Sequence, residues 1–448
     1  MANVENQLPM SMRYTITGSD AIPSRTRLSR FDATSSEYSS NSNNKLLIPV
    51  QADGFLDTTK SYLFFKVKSN HTSAGNHPVK FDGNVASIID KVEIAVSGSS
   101  GKVETLDRYN LYHLYDQVWN SGIEDITYQQ VVNGGSAPAL EWKAQGAELQ
   151  KTGGHNNEPD NIVLALKLKS GFLSSYFNKA LPQGLPQFTL EITLASGITA
   201  FVAQNADVAV NTYNVSEARF YAPVYQILDE GVMGAYTRQI TTSPTMWVAQ
   251  SFTTIINNVA AQSSKQTLQL NASFKSLNGM ITLMRPSANM NDKVKNILTA
   301  TNITGVVSYL YRIGGSQYPQ DAVDITSVNN VVGENNGFNL SRAYMEASKT
   351  LAPHGHIHSK SSAVSQTRFA AADAAGDDTG AGSLCINLTR FSDDRLVNLG
   401  LNTAGSSAPS TIEIDFGSTT PAQQDATTFC LYDCVWVLNP NGMVERSF

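Results

Sequence analysis

Apolar and polar residues alternate along much of the chain, the period-two pattern of strands buried on one face. The clearest runs are Lys45 to Val50, Ser61 to Lys68, Val85 to Val96, Ile162 to Leu168, Thr189 to Leu194 and Ala218 to Ile227. Turn signals such as Asp53-Gly54 punctuate them. One segment keeps a helical period instead: Leu106, Tyr109, Tyr112, Tyr115 and Val118/Trp119, with Thr105 before it and Gly122 after. Its aromatic stripe reads as core packing. Leu340 to Leu351 has the same period, with Ser341 as a cap candidate and Pro353 as the stop, and a shorter helix is expected from Asp292 to Leu298.

The elements recur at long range. Thr189-Leu190-Glu191-Ile192-Thr193-Leu194 returns as Thr411-Ile412-Glu413-Ile414-Asp415-Phe416, 222 positions on in a chain of 448. In the same order, Leu164 to Leu168 matches Cys385 to Leu388, Phe172 matches Phe391, and Ala218 to Ile227 matches Phe429 to Leu438. The strand Asp90 to Val96 and the Tyr109 helix match the strand Val306 to Ile313 and the Tyr344 helix. One strand resembling another means little; a preserved order at nearly one offset means duplication. The reading is two copies of one β domain, joined near Asp229 to Ala235. A repeat of two large units must close its own cores, and long loops between strands favour jelly-roll connections over meanders. The expected fold is all-β, two tandem eight-stranded jelly rolls with a few short helices in loops. The expected division is an N-terminal arm over 1–44, a first roll over 45–230 and a second over 231–448.

Composition narrows the chemistry. With 32 basic and 38 acidic side chains the net charge is −6, which argues against a dedicated nucleic-acid binder. Charged residues make up only 16%, against about 25% in ordinary globular chains, and uncharged polar residues fill the gap. No run approaches the roughly 18 apolar residues of a membrane helix, and Met1 to Met12 lacks a signal-peptide core, so synthesis in a cytosol-like compartment is expected. In that setting Cys385, Cys430 and Cys434 read as buried thiols. The six sequons, at Asn70, Asn214, Asn271, Asn302, Asn339 and Asn387, read as chance in a chain rich in Asn, Ser and Thr.

Few residues suggest catalysis. His354, His356 and His358 would share one side of an extended segment and could bind zinc or nickel, but no acidic or thiol partner lies nearby, so a solvated loop is the preferred reading. Asp373, Asp377 and Asp378 fit no EF-hand spacing. Nucleophile-elbow, HExxH, Walker and paired CxxC motifs are absent. No cofactor is expected. In the arm, Arg13, Arg25, Arg27 and Arg30 outnumber Glu5 and Asp20 over residues 1 to 30. They are candidate inner-face contacts, to genome or an anionic membrane, or else partners for carboxylates on a neighbouring subunit.

Several segments resemble the double jelly-roll major capsid proteins of the adenovirus and tectivirus lineage, virophages and polinton-like viruses above all. They are Leu46-Leu47-Ile48-Pro49-Val50, Phe55 to Leu63, Ile88 to Ile94 with the helix behind it, Leu181-Pro182 before Leu190-Glu191-Ile192, Tyr311 to Pro319, and Leu399 to Thr403. The resemblance runs from about Lys45 to the C-terminus. It implies a structural protein, not an enzyme: a homotrimeric, pseudo-hexagonal capsomer of an icosahedral virion. Its partners would be itself, neighbouring capsomers, penton and minor capsid proteins, and an internal membrane or genome through the arm, with no small-molecule substrate. Two rivals stand beside it. A jelly-roll glycan-binding or attachment protein would need surface aromatics, for which Trp119, Trp142, Trp247 and Trp436 are scattered; a cupin- or glycosidase-type enzyme would need a ligand set or carboxylate pair the sequence does not single out.

Overall fold

The computed structural model describes residues 23–70, 79–99, 101–120, 132–133, 145–149, 162–174, 179–203, 212–261, 264–271, 273–301, 303, 305–325, 336–351, 364, 369, 381–390, 400–406, 408–417 and 422–447. The first half holds β1 (Ser24–Asp32), β2 (Glu37–Ser39), β3 (Lys45–Val50), β4 (Phe55–Leu56), β5 (Tyr62–Ser69), β6 (Val79–Asp82), β7 (Ile89–Val96) and β8 (Lys102–Asp107). Helix α1 (Tyr109–Asn120) follows, then β9 (Gln145–Leu149), β10 (Ile162–Leu166), β11 (Phe188–Leu194), the one-turn α2 (Gly197–Ala200), β12 (Phe201–Ala203) and β13 (Tyr213–Ile227). Helix α3 (Glu230–Thr242) links to β14 (Thr245–Val259), β15 (Lys265–Leu270), β16 (Leu277–Pro286), β17 (Ser308–Ile313) and β18 (Ser316–Asp324). Helix α4 (Asn336–Leu351), β19 (Leu384–Asn387), β20 (Ser410–Asp415), β21 (Gln424–Leu438) and β22 (Val444–Ser447) complete the chain.

Eight main strands in each half form two facing sheets. In the first half the orders are β1-β13-β5-β10 and β3-β11-β7-β8; in the second, β14-β21-β16-β19 and β15-β20-β17-β18. Counted one to eight within each half, both give 1-8-3-6 and 2-7-4-5, every pair antiparallel. This is the jelly roll, built twice. The long-range sequence matches fall on equivalent strands: β11 with β20, β10 with β19, β7 with β17 and β13 with β21. Alternation sets the faces, as in β3 and β5, where every second side chain is buried in the sandwich.

Several expectations need correction. Residues 24–44 are not free arm: β1 pairs with β13 over nine positions and β2 adds three more. An edge strand needs little apolar area of its own because the ladder satisfies its backbone. Val85 to Ile88 is a 3-10 turn rather than strand, its first turn capped by the Asn84 side chain on the amide of Ala86. Leu106 belongs to β8, and the helix starts at Tyr109. Ser341 lies inside α4, which starts five residues earlier. Asp292 to Leu298 forms no helix, because the amides of Ile297 and Leu298 turn to a buried carboxylate instead.

Candidate assembly interface

Two buried carboxylates of the first roll hold the second. Glu104, on β8, accepts from Ser170 Oγ and from the amides of Gly171 (3.0 Å) and Phe172 (3.2 Å), and across the seam from Ser251 Oγ of β14 (2.6 Å). Burial pushes this carboxyl above its ordinary range, and those donors oppose the shift. Asp82, at the end of β6, accepts from the amides of Ile297 (2.7 Å) and Leu298 (2.6 Å) and from Thr299 Oγ1 (2.6 Å), all from the second roll. Burial pushes it up to about 6, again opposed by its donors. A buried carboxylate is tolerated only where donors surround it, so both positions tie the rolls together through several bonds at once.

Aromatic packing fills the rest of the seam. Tyr112 of α1 lies against Phe252 of β14 (ring centroids 4.0 Å) and Phe429 of β21 (5.3 Å). Trp119 meets Tyr344 of α4 at 5.0 Å, and Phe172 meets Trp247 at 5.4 Å, whose indole donates to the Phe172 carbonyl. Gly171 sits where a Cβ would come within 2.6 Å of the Trp436 ring and 2.8 Å of the Gln250 carbonyl, so only glycine lets the backbones approach. Beside this seam a cavity of about 610 Å³ is lined by Tyr112, His113, Gln117, Lys169, Ser251 and Phe252. Lys169 in its wall is paired with Asp116.

The site residues expected from sequence fall elsewhere. Arg13 lies outside the described residues. Arg25, Arg27 and Arg30 all sit on β1, exposed at the edge of the first roll. Arg27 pairs with Asp53 (2.6 Å) and Arg30 with Asp32 (2.9 Å). His354, His356, His358, Asp373, Asp377 and Asp378 lie outside the described residues, as do Phe391 and Trp142. Among the described residues no three His, Cys, Asp or Glu side chains come together as a metal site. Cys385, Cys430 and Cys434 are free and buried, and burial raises all three thiols, Cys385 and Cys430 to about 12. Trp119, Trp247 and Trp436 are buried, unlike the exposed platforms a sugar would stack on. No described helix is long and apolar enough to cross a membrane.

Sequence reasoning missed Glu104 and Asp82. A faint signal existed for the first: Lys102-Val103-Glu104-Thr105-Leu106 alternates with a carboxylate on the side where burial continues. None existed for Asp82, whose partners lie more than 200 residues away.

No protein-family model matches the chain, and no curated protein is similar to it in sequence. Solved structures are similar in fold. The Faustovirus major capsid protein superposes with a TM-score of 0.61 at 7% identity, over 96% of this chain and 93% of that one. VP54 of PBCV-1, in the crystal structure fitted into a reconstruction of the virophage Sputnik, gives 0.59 at 10% identity over 97% and 99%. The mavirus major capsid protein gives 0.52 at 10% identity over 100% and 95%. Across essentially its whole length the chain has the double jelly-roll fold that these capsid proteins have.

Proposed function

We propose that the chain is a structural subunit of a viral capsid, assembling as a pseudo-hexagonal homotrimer that tiles an icosahedral shell. The observation that carries this reading is the pairing of two eight-stranded rolls of identical order in one chain, matched end to end in fold by major capsid proteins. Three such chains supply six equivalent rolls, enough for a six-cornered block. A catalytic role gains no support: the seam carboxylates Glu104 and Asp82 are each held by several hydrogen-bond donors, and the cysteines are buried far from thiolate character. Virion localisation, production in a cytosol-like compartment, and contacts with penton and minor capsid proteins follow from the same reading. The rolls are taken to divide at α3, near residue 230, and the N-terminal arginines are taken to meet an internal membrane or genome.

Sedimentation of the full-length chain tests the proposal. A species of about 145 kDa, three times the 48.4 kDa chain, with a hexagonal outline in negative stain is the expected result. A monodisperse monomer without hexagonal particles would overturn it.

A further inference from the structure

Lys169 stands in the loop after β10, in the wall of the cavity beside the seam. The residues that follow it, Ser170, Gly171 and Phe172, donate to Glu104. Its ammonium meets the Asp116 carboxylate of α1. The loop backbone is fixed at the same place, since the Lys169 amide donates to Tyr109 Oη (2.7 Å). Asp116 is held from its other side, where Oδ1 accepts from Asn120 Nδ2 (2.7 Å). His113 and Asp116 are three residues apart on α1 and so share one helix face, the one toward Lys169.

This pair differs from the lysine networks on the strands. Lys91 and Lys102 each bridge two carboxylates; burial lowers both ammoniums, but the pairings outweigh it and leave them above their ordinary range. For Lys169 burial wins and brings the group down to about 7, so much of it is neutral amine at physiological pH. His113 is neutral as well, because burial and then the neighbouring Lys169 charge push it well below its ordinary value. An amine, a carboxyl and a neutral imidazole thus meet with their backbones fixed, which is the arrangement that favours attack of the first on the second.

We propose that Lys169 and Asp116 condense into an amide bond, a covalent cross-link between the β10–β11 loop and α1. The Lys169 nitrogen attacks Cγ of Asp116, the new C–N bond forms, and the bond from Cγ to one carboxylate oxygen breaks. The ion pair already holds every atom required: of the three ammonium protons one stays on the amide nitrogen and two leave with the oxygen as water. His113 carries a proton from the nitrogen to the departing oxygen and ends neutral, as it began. No oxidant, metal or cofactor enters the balance. The link closes the chain between positions 116 and 169 and fixes the loop that presents Ser170, Gly171 and Phe172 to Glu104, so it stiffens the first roll's side of the seam. It concerns one chain and does not depend on the capsomer reading.

The test is the mass of the denatured full-length chain. Most wild-type chains should be lighter than their sequence by one water, about 18 Da, and Lys169→Arg should restore the full mass. Trypsin does not cut after an acylated lysine, so the wild-type digest should contain residues 109–143 joined to residues 168–179 as one branched peptide. In Asp116→Asn the same attack expels ammonia instead, a deficit of about 17 Da at the same branched peptide. A wild-type chain of full sequence mass would overturn the proposal and leave Lys169 and Asp116 as an ion pair. So would a deficit that survives Lys169→Arg, the mark of a succinimide ring closed elsewhere in the chain. The wild-type mass and digest decide the matter even if neither variant folds.

Discussion

The two rolls share a topology but not a pattern of burial. In the second, β16 is buried at nine of ten positions and β21 nearly as fully, so that sheet is covered on both faces. In the first, the equivalent β5 and β13 alternate between buried and half-exposed, so that sheet is covered on one. The covers are identifiable. Thr350 of α4 packs where a Cβ on Gly279 of β16 would come within 2.8 Å, and Tyr112 of the first roll's α1 lies on Phe252 and Phe429. A strand covered twice reads as a continuous apolar run, and one covered once as an alternation. The difference therefore records which faces this chain covers by itself, and the seam is what makes the rolls unequal.

The largest way to break that inequality is at the seam's centre. Glu104→Ala leaves the hydroxyls of Ser170 and Ser251 and the amides of Gly171 and Phe172 buried without their acceptor. Urea unfolding should show a loss of about 3 kcal/mol or more, since several buried neutral donors lose their acceptor at about 1–3 kcal/mol each. It should also separate one cooperative transition into two. A loss below about 1 kcal/mol with one transition would show that the seam does not depend on this side chain.

Asp82 tests the seam through pH. Its carboxyl titrates near 6 when folded, against about 3.9 in an unfolded chain. The folded chain thus binds this proton more readily. The contribution of Asp82 is most favourable below pH 4 and falls as pH rises through 6, by about 3 kcal/mol in all. Asp82→Asn should flatten the stability profile across pH 4 to 6.5 relative to wild type. Parallel profiles would rule out Asp82 as the source. Next in size, Gly171→Ala should lose about 1–3 kcal/mol by forcing a methyl against Trp436 and the Gln250 carbonyl. A neutral result in thermal melts would mean that the rolls can move apart without penalty.

Much of this is legible in the sequence. The duplicated strands, both long interior helices and the buried cysteines all announce themselves through local period and order. What stayed hidden was whatever depends on partners distant in sequence. The polar strand β18, with Pro319, Asp321 and Asp324, has no apolar rhythm because its ladder with β17 contributes hydrogen bonds rather than burial. Strand β1 escaped for the same reason, its arginines suggesting a loose arm where the β13 ladder holds a strand. The run Leu277 to Met284 lacked alternation because it is covered twice. Arg25, Arg27 and Arg30 stand exposed on β1, but the carboxylates that join the rolls were not singled out, since nothing local distinguishes a buried Asp or Glu from a solvated one.

The smallest expected effect lies on the outer faces, where the duplication left equivalent glutamates, Glu191 and Glu413. In the first roll Lys102 reaches both Glu191 and Glu93, and Lys91 joins Glu93 to Asp107, so the pair belongs to a chain of charges over β7, β8 and β11. In the second roll Arg312 holds Glu413 in a two-bond fork (2.5 and 3.2 Å) with both groups well exposed. Networks outlast single exposed pairs because each ion is already fixed by another. Glu191→Gln should therefore lower stability by under about 1 kcal/mol, and Glu413→Gln by less, with both effects shrinking in 0.5 M salt as screening shortens the reach of surface charge. If Glu413→Gln proves the more damaging, the exposed fork outweighs the network, and the outer faces of the two rolls differ in the opposite sense from their seam.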